Sequence, residues 1–118
     1  MSIEQLAKSF TALCAEGKFG EAGKQYWAED VASHEPIPGE AALAQGRAAV
    51  QAKGEWWVAN HEVHGVKVEG PFVSGTQFVV RFTMDVTPKG QARCTKDEVG
   101  VYLVKDGKIV DESFFYAS

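Results

Sequence analysis

Glu35 stands between a histidine and a proline in the stretch Ser33-His34-Glu35-Pro36-Ile37-Pro38-Gly39, at the point where helical periodicity stops. A second carboxylate, Glu112, shares the alternation of Val110, Phe114 and Tyr116 near the end of the chain. Among apolar side chains a carboxyl group loses the hydration of its charged form, so its pKa climbs toward neutrality. Such a group can take and return protons near pH 7, which is general acid–base chemistry. The plainer alternative puts Glu112 at an open rim, solvated and ordinary.

A third carboxylate, Glu98, is less clearly placed. Between Cys94 and Val104 the set Thr95, Asp97, Val99, Val101 and Leu103 is more uniformly apolar than Lys96, Glu98, Gly100, Tyr102 and Val104. Pattern alone therefore turns Glu98 outward. His34 precedes Glu35 by one residue, so in an extended segment its ring points the other way and reaches a shared site only if the loop turns it inward. His61 and His64, three apart in a strand, fall on opposite faces, which argues against a shared metal. The chain has no nucleophile elbow, phosphate loop or dinucleotide fingerprint. No cofactor and no metal are expected.

The elements that must hold these groups follow from spacing. Ser2 with Gln5 is a capping-box pattern, and Ile3, Leu6, Ala7, Phe10, Leu13 and Cys14 recur at helical intervals until Gly17. A second helix is expected from about Phe19 to Ala28, with Phe19, Ala22, Tyr26 and Trp27 toward one side, followed by a Pro- and Gly-rich loop to Gly46. A third helix from about Arg47 to Asn60 would carry Ala49, Ala52 and Trp56 on its stripe, with Trp57 one step round. From His61 the period falls to two. Turn signals at Glu69-Gly70-Pro71, Ser74-Gly75, Pro88-Lys89-Gly90 and Asp106-Gly107 cut the remainder into an antiparallel meander. Phe78, Val80, Phe82, Met84 and Val86 form one apolar face that must meet the helices. Two apolar faces on the Cys94–Val104 strand suggest that both are covered, the outer one by a partner sheet or subunit.

Size and charge limit the function. A chain of 118 residues makes one domain, able to enclose one small pocket. Twelve Lys and Arg against sixteen Asp and Glu leave a net charge of -4 without a basic run, so nucleic acid is not an expected partner. No window approaches the length of a membrane span. The opening MSIEQLAKSF lacks the apolar core of a secretory leader, which predicts a cytoplasmic location. Cys14 and Cys94 are too few and too far apart for a disulfide or metal framework and read as buried thiols.

Two helices, an acidic stretch "YWAEDVASHEP", a third helix opened by "GR" and a meander closing on "VYLVKDGKIVDESFFY" resemble the nuclear-transport-factor-two-like superfamily, and within it the SnoaL-like polyketide cyclases and ketosteroid-isomerase-related proteins. The resemblance covers nearly the whole chain. It implies an α+β fold: three N-terminal helices packed in a strongly curved, mostly antiparallel sheet, a cone or half-barrel with an apolar pocket at its mouth. It also implies a homodimer through the outer sheet face.

Ketosteroid isomerases place a base, an aspartate followed by proline, where Glu35-Pro36 stands here. The tyrosine and protonated aspartate that hold their enolate correspond to Phe10 and Gly100, so that oxyanion hole is not expected. The same correspondence turns Glu98 and Tyr102 inward, against the pattern, and turns Glu112, Phe114 and Tyr116 inward, with it. Polar residues breaking an apolar register are expected at a functional site, so Glu98 is taken as inward. The resulting expectation is that Glu35, Glu98 and Glu112 converge on one cavity, with Glu35 as base, Glu98 or Glu112 as acid or oxyanion donor, and Tyr102 or Tyr116 as helper. His34, Trp27, Trp56, Phe82 and Phe114 complete the expected ligand contacts. The ligand would be small, apolar and ring-like, and the reaction an isomerisation, cyclisation or dehydration next to a carbonyl. The alternative is a binding or dimerisation module of the same fold without the chemistry.

Overall fold

The first helix begins where its cap requires. In the computed structural model, which describes residues 1–117, α1 spans Ile3–Ala15, the Ser2 hydroxyl accepts from the Gln5 amide at 3.1 Å, and the Gln5 side chain accepts from the Ser2 amide at 2.9 Å. Two of the helix's orphan N–H groups are thereby satisfied. The buried stripe is Leu6, Ala7, Phe10 and Cys14, as the spacing predicts. Gly17, at φ 78, turns the chain into α2, Phe19–Tyr26.

The second helix is shorter than expected. Trp27 is already extended at φ -69 and ψ 135, and it opens β1, Trp27–His34, in a segment whose sequence reads as helix end and acidic loop. The cause is tertiary. β1 pairs in parallel with the final strand, Ser33 opposite Glu112 and His34 opposite Ser113, and such pairing overrides a weak local preference. A short 3-10 turn, Glu40–Ala42, and a three-residue strand β2, Leu43–Gln45, then fold the Pro- and Gly-rich loop back onto β1.

Helix α3, Arg47–Ala59, presents the opposite stripe to the one expected. Ala49, Ala52 and Trp56 face out, Trp56 with 62% of its surface exposed, while Val50, Lys53, Gly54 and Trp57 turn inward. The inward set has spacing i, i+3, i+4, i+7. A lysine and a glycine within it weaken its apolar signal.

Strands β3 His61–Ser74, β4 Gln77–Pro88, β5 Cys94–Lys105 and β6 Lys108–Phe115 complete one six-stranded sheet, in the order β2-β1-β6-β5-β4-β3. Among the described residues only the β1–β6 pairing is parallel. The sheet is curved and unclosed, and the helices lie in its concavity. The Glu69-Gly70-Pro71 signal, which reads as a turn, is instead an irregularity inside one continuous β3, where the register against β4 shifts between Glu69 and Phe72. The β4 alternation holds throughout: Phe78, Val80, Phe82, Met84 and Val86 are all buried.

β6 departs from strict alternation once. Opposite it, Leu103 and Val104 are neighbours but face Asp111 and Ile109, so Val110 is extra and forms a bulge. The bulge resets the period, which lets Ile109 and Glu112 both turn inward although they stand an odd number of positions apart. Ile109, which an unbroken alternation with Val110 and Glu112 would turn outward, is fully buried. Cys14 is buried, but Cys94 is exposed, contrary to the expectation for both thiols. Among the described residues no helix is long and apolar enough to cross a membrane.

Candidate functional site

Glu112 is the most deeply placed carboxylate, 4% exposed on the concave face of β6. Its Oε1 accepts from the Trp27 indole Nε1–H at 2.9 Å and its Oε2 from the Ser33 hydroxyl at 2.8 Å. Both donors come from β1, which the parallel pairing sets alongside. Burial holds the Glu112 carboxyl above its ordinary pKa against the two hydrogen bonds, which favour the charged form. With both oxygens engaged, Glu112 fixes β1 to β6 and is closed to a ligand.

Ser33 links Glu112 to a residue outside the set expected from sequence. Lys53 Nζ donates to Ser33 Oγ at 2.5 Å and to Glu35 Oε2 at 2.9 Å. It also stands 5.3 Å above the centre of the Phe114 ring, within range of a cation–π contact. The other Glu35 oxygen, Oε1, accepts from the Tyr116 hydroxyl at 2.8 Å. Burial raises the Tyr116 pKa, and the bond to Glu35 adds to the effect. Glu35, Tyr116, Lys53, Ser33, Glu112 and Trp27 thus form one continuous polar chain across three elements. Periodicity does not locate Lys53, because an ammonium counts against the stripe that carries it; it turns toward the core only because Ser33 and Glu35 are there to receive it.

Glu98 faces inward on β5, with Gly100 and Tyr102, as the resemblance implied and as the apolar pattern did not. Its cross-strand partner on β4 is the buried Phe82. Burial, with the charge of Glu35 behind it, pushes the Glu98 carboxyl up to about 7, while Lys96 and Lys53 pull the other way. Glu35 and Glu112 have hydrogen-bond donors on both oxygens, which leaves Glu98 as the carboxylate of the three that is open to a ligand.

The remaining candidates separate into two groups. Phe82, Phe114 and Trp27 lie with the carboxylates. Tyr102 is enclosed in the core, stacked 4.8 Å from Phe78 and edge-on to Phe10 and Phe114. A Cβ added at Gly100 would lie 2.6 Å from the Tyr102 hydroxyl, so the tyrosine ring occupies the space in which an aspartate side chain at that position would sit. His34 points away from the cluster, as alternation requires, and its Nε2 lies 2.7 Å from Asp111 Oδ1 on the other face. Trp56 is on the outer side of α3, with its nearest aromatic neighbour His61 rather than any carboxylate. Two cavities, of about 280 Å3 and about 400 Å3, lie elsewhere, and neither is lined by Glu35, Glu98 or Glu112. Among the described residues no group of three or more His, Cys, Asp and Glu could hold a metal ion.

Comparison with known proteins places this geometry. Residues 1–116 match the model of the SnoaL-like domain. A crystal structure of a proposed SnoaL-like polyketide cyclase from Mesorhizobium loti is 50% identical, with a TM-score of 0.95 over 98% of this chain and 100% of that one. A proposed isomerase from Bacillus subtilis is 15% identical, with a TM-score of 0.80 over 99% and 90% of the two chains. A Xanthomonas campestris protein with a cystatin-like fold gives 19% identity and a TM-score of 0.80 over 100% and 92%. No curated protein matches the sequence.

Proposed function

Because this chain belongs to the SnoaL-like domain family, we propose that it catalyses proton transfer next to the carbonyl of an apolar compound, with Glu98 as the group that takes and returns the proton. The observation that carries this reading is Glu98 itself: half-buried on the concave face beside Phe82, with its carboxyl raised to about 7. A base poised near the working pH combines the right protonation state with useful driving force. The relatives from M. loti and B. subtilis, named as a proposed cyclase and a proposed isomerase, point to the same class of chemistry.

Glu35 then takes a different part from that of base. Its two oxygens already accept from Lys53 and Tyr116, so it anchors the lysine. An ammonium has three donors, of which Ser33 and Glu35 use two. The third is available to a carbonyl oxygen as it becomes an enolate, the charge-stabilising role that preorganised donors play. Glu98 removes the proton from the adjacent carbon. Return of that proton to another carbon completes an isomerisation, and its delivery to a departing hydroxyl completes a dehydration.

The reaction can be tested without identifying the natural substrate. A panel of cyclic ketones and enones incubated in D2O should incorporate deuterium next to the carbonyl faster with the protein than with buffer, as measured by NMR. A panel showing no protein-dependent exchange at pH 8 would favour the alternative, a binding module of the same fold. Tyr102 covering Gly100, with Phe10 against it, is the feature on that side.

We also propose a homodimer through the convex face. Phe72 on β3 is opposite Val79, which is opposite Val101, and beside this row Val99 is opposite Phe115. Phe72 and Phe115 are 62% and 55% exposed, and a contiguous apolar patch of this kind marks an interface. Sedimentation at micromolar concentration should give twice the chain mass, and Val101→Lys should return it to one. A monomeric wild-type protein would refute the interface.

A further inference from the structure

The cavity of about 400 Å3 lies apart from the carboxylates, between the α1–α2 turn, the end of α3 and the start of β3. Its size is within the range of small-molecule sites. Phe19, Trp57, Val63 and Val66 give it apolar walls. Glu35, Glu98 and Glu112 are not among its lining residues, and the Phe19 ring in its wall lies 6.2 Å from Phe82, the cross-strand partner of Glu98.

Among the polar groups of this wall His61 is held in a defined orientation. The His61 ring lies flat on the Trp57 indole, 4.2 Å between centres and 10° from parallel, and its Nδ1 is 2.7 Å from the Trp57 carbonyl oxygen. A carbonyl oxygen only accepts, so Nδ1 carries the hydrogen, and the Nε2 of the neutral ring is an acceptor. The stack and the hydrogen bond together fix the ring. The carboxylate among the cavity's residues is Glu16, which disfavours an anionic ligand.

We propose that this cavity is a second binding site, for a small neutral aromatic alcohol whose ring packs against Phe19 and Trp57 and whose hydroxyl donates to His61 Nε2. Flat apolar walls select the ring, and an acceptor fixed beside them selects a donor on it, while the other histidine of the lining, His64, has its Nε2 2.8 Å from Thr87 Oγ1. The site stands independently of the proton-transfer reading.

The probe is 2-naphthol, titrated into 15N-labelled protein and followed by amide and indole NMR signals. Saturable shifts are expected at Trp57, His61, Val63 and Val66. The methyl ether of the same probe, which cannot donate, should bind about tenfold more weakly, as should 2-naphthol to His61→Phe, which keeps the stack and loses the acceptor. A Cβ built at Gly65, which lines the cavity, meets nothing within 4 Å, so Gly65→Leu should fold and fill the space, again weakening binding about tenfold or more. Glu98→Gln should bind 2-naphthol as the wild type does, so this site and the proton-transfer site fail separately. Shifts that do not saturate, or that centre on Glu98 and Phe114, would overturn the proposal. So would equal affinity for the methyl ether, or undiminished affinity in both His61→Phe and Gly65→Leu.

Discussion

Glu98→Gln should slow deuterium exchange into an active ketone by about 10²- to 10⁴-fold, the span over which positioned acid–base groups act. The substitution keeps the shape and removes the titration. In the wild type the rate should rise with pH through about 7, as the Glu98 carboxyl, raised by burial and by Glu35, loses its proton and becomes the base. That inflection should be missing in the variant. Stability provides the control, and its sign runs the other way. Since the folded pKa lies above the unfolded one, the folded chain holds a proton that the unfolded chain has released between the ordinary carboxylate range and about 7. Stability therefore falls as pH rises through that window, and Glu98→Gln should flatten the fall. A variant with low activity and undiminished stability at pH 8 assigns the loss to chemistry. Parental exchange rates in Glu98→Gln would move the base elsewhere, with Glu35 the first alternative.

Trp27→Ala should cost about 3–5 kcal/mol of folding stability, measured as a lowered urea midpoint with unchanged slope. Trp27 is 9% exposed at the junction of α2 and β1. Its ring lies against Gly23, where an added Cβ would overlap it, so the alanine variant leaves a void between α2 and the sheet. It also takes the indole N–H from Glu112 Oε1. Trp27→Phe separates the two losses: most of the ring volume remains, and the expected cost is the roughly 1–3 kcal/mol of a buried acceptor left short of its donor. A phenylalanine variant as stable as the wild type would show that the indole contributes packing alone.

The faces of β4 can be read directly because five apolar residues alternate there without interruption, and alternation is all that a regular strand requires. β5 cannot be decided in the same way, since both of its faces are apolar and what covers each is a fact about other segments. Only the resemblance turns Glu98 inward. β6 defeats the alternation at Val110, where one extra residue exchanges the faces of everything before it. No single-strand pattern marks that position, because a bulge is defined against the partner strand. β1 escapes the pattern for a related reason: "WAEDVASH" has little strand character alone and is extended because β6 lies beside it. The α3 stripe reads backwards from sequence because Lys53 counts as polar in a periodicity argument, yet it points inward to Ser33 and Glu35. Glu112 is legible as an inward group from alternation and Glu35 from the resemblance, but the serine and lysine that connect them carry no sequence signal strong enough to pick them out.

The parallel pairing of β1 with β6 also sets when the polar chain can form. Trp27, Ser33 and Glu35 come from the first third of the chain, Glu112 and Tyr116 from its end, with 85 positions between Trp27 and the carboxylate it holds. Local hairpins can form the meander early, but closing a loop of that length carries an entropic cost that the distant contacts must offset. The polar chain from Tyr116 to Trp27 is complete only when both ends of the polypeptide meet: until then Glu35 lacks the Tyr116 hydroxyl and Glu112 its donors. Completion of the fold and completion of this polar chain therefore coincide, and a chain truncated before Glu112 should lose the deuterium exchange proposed above.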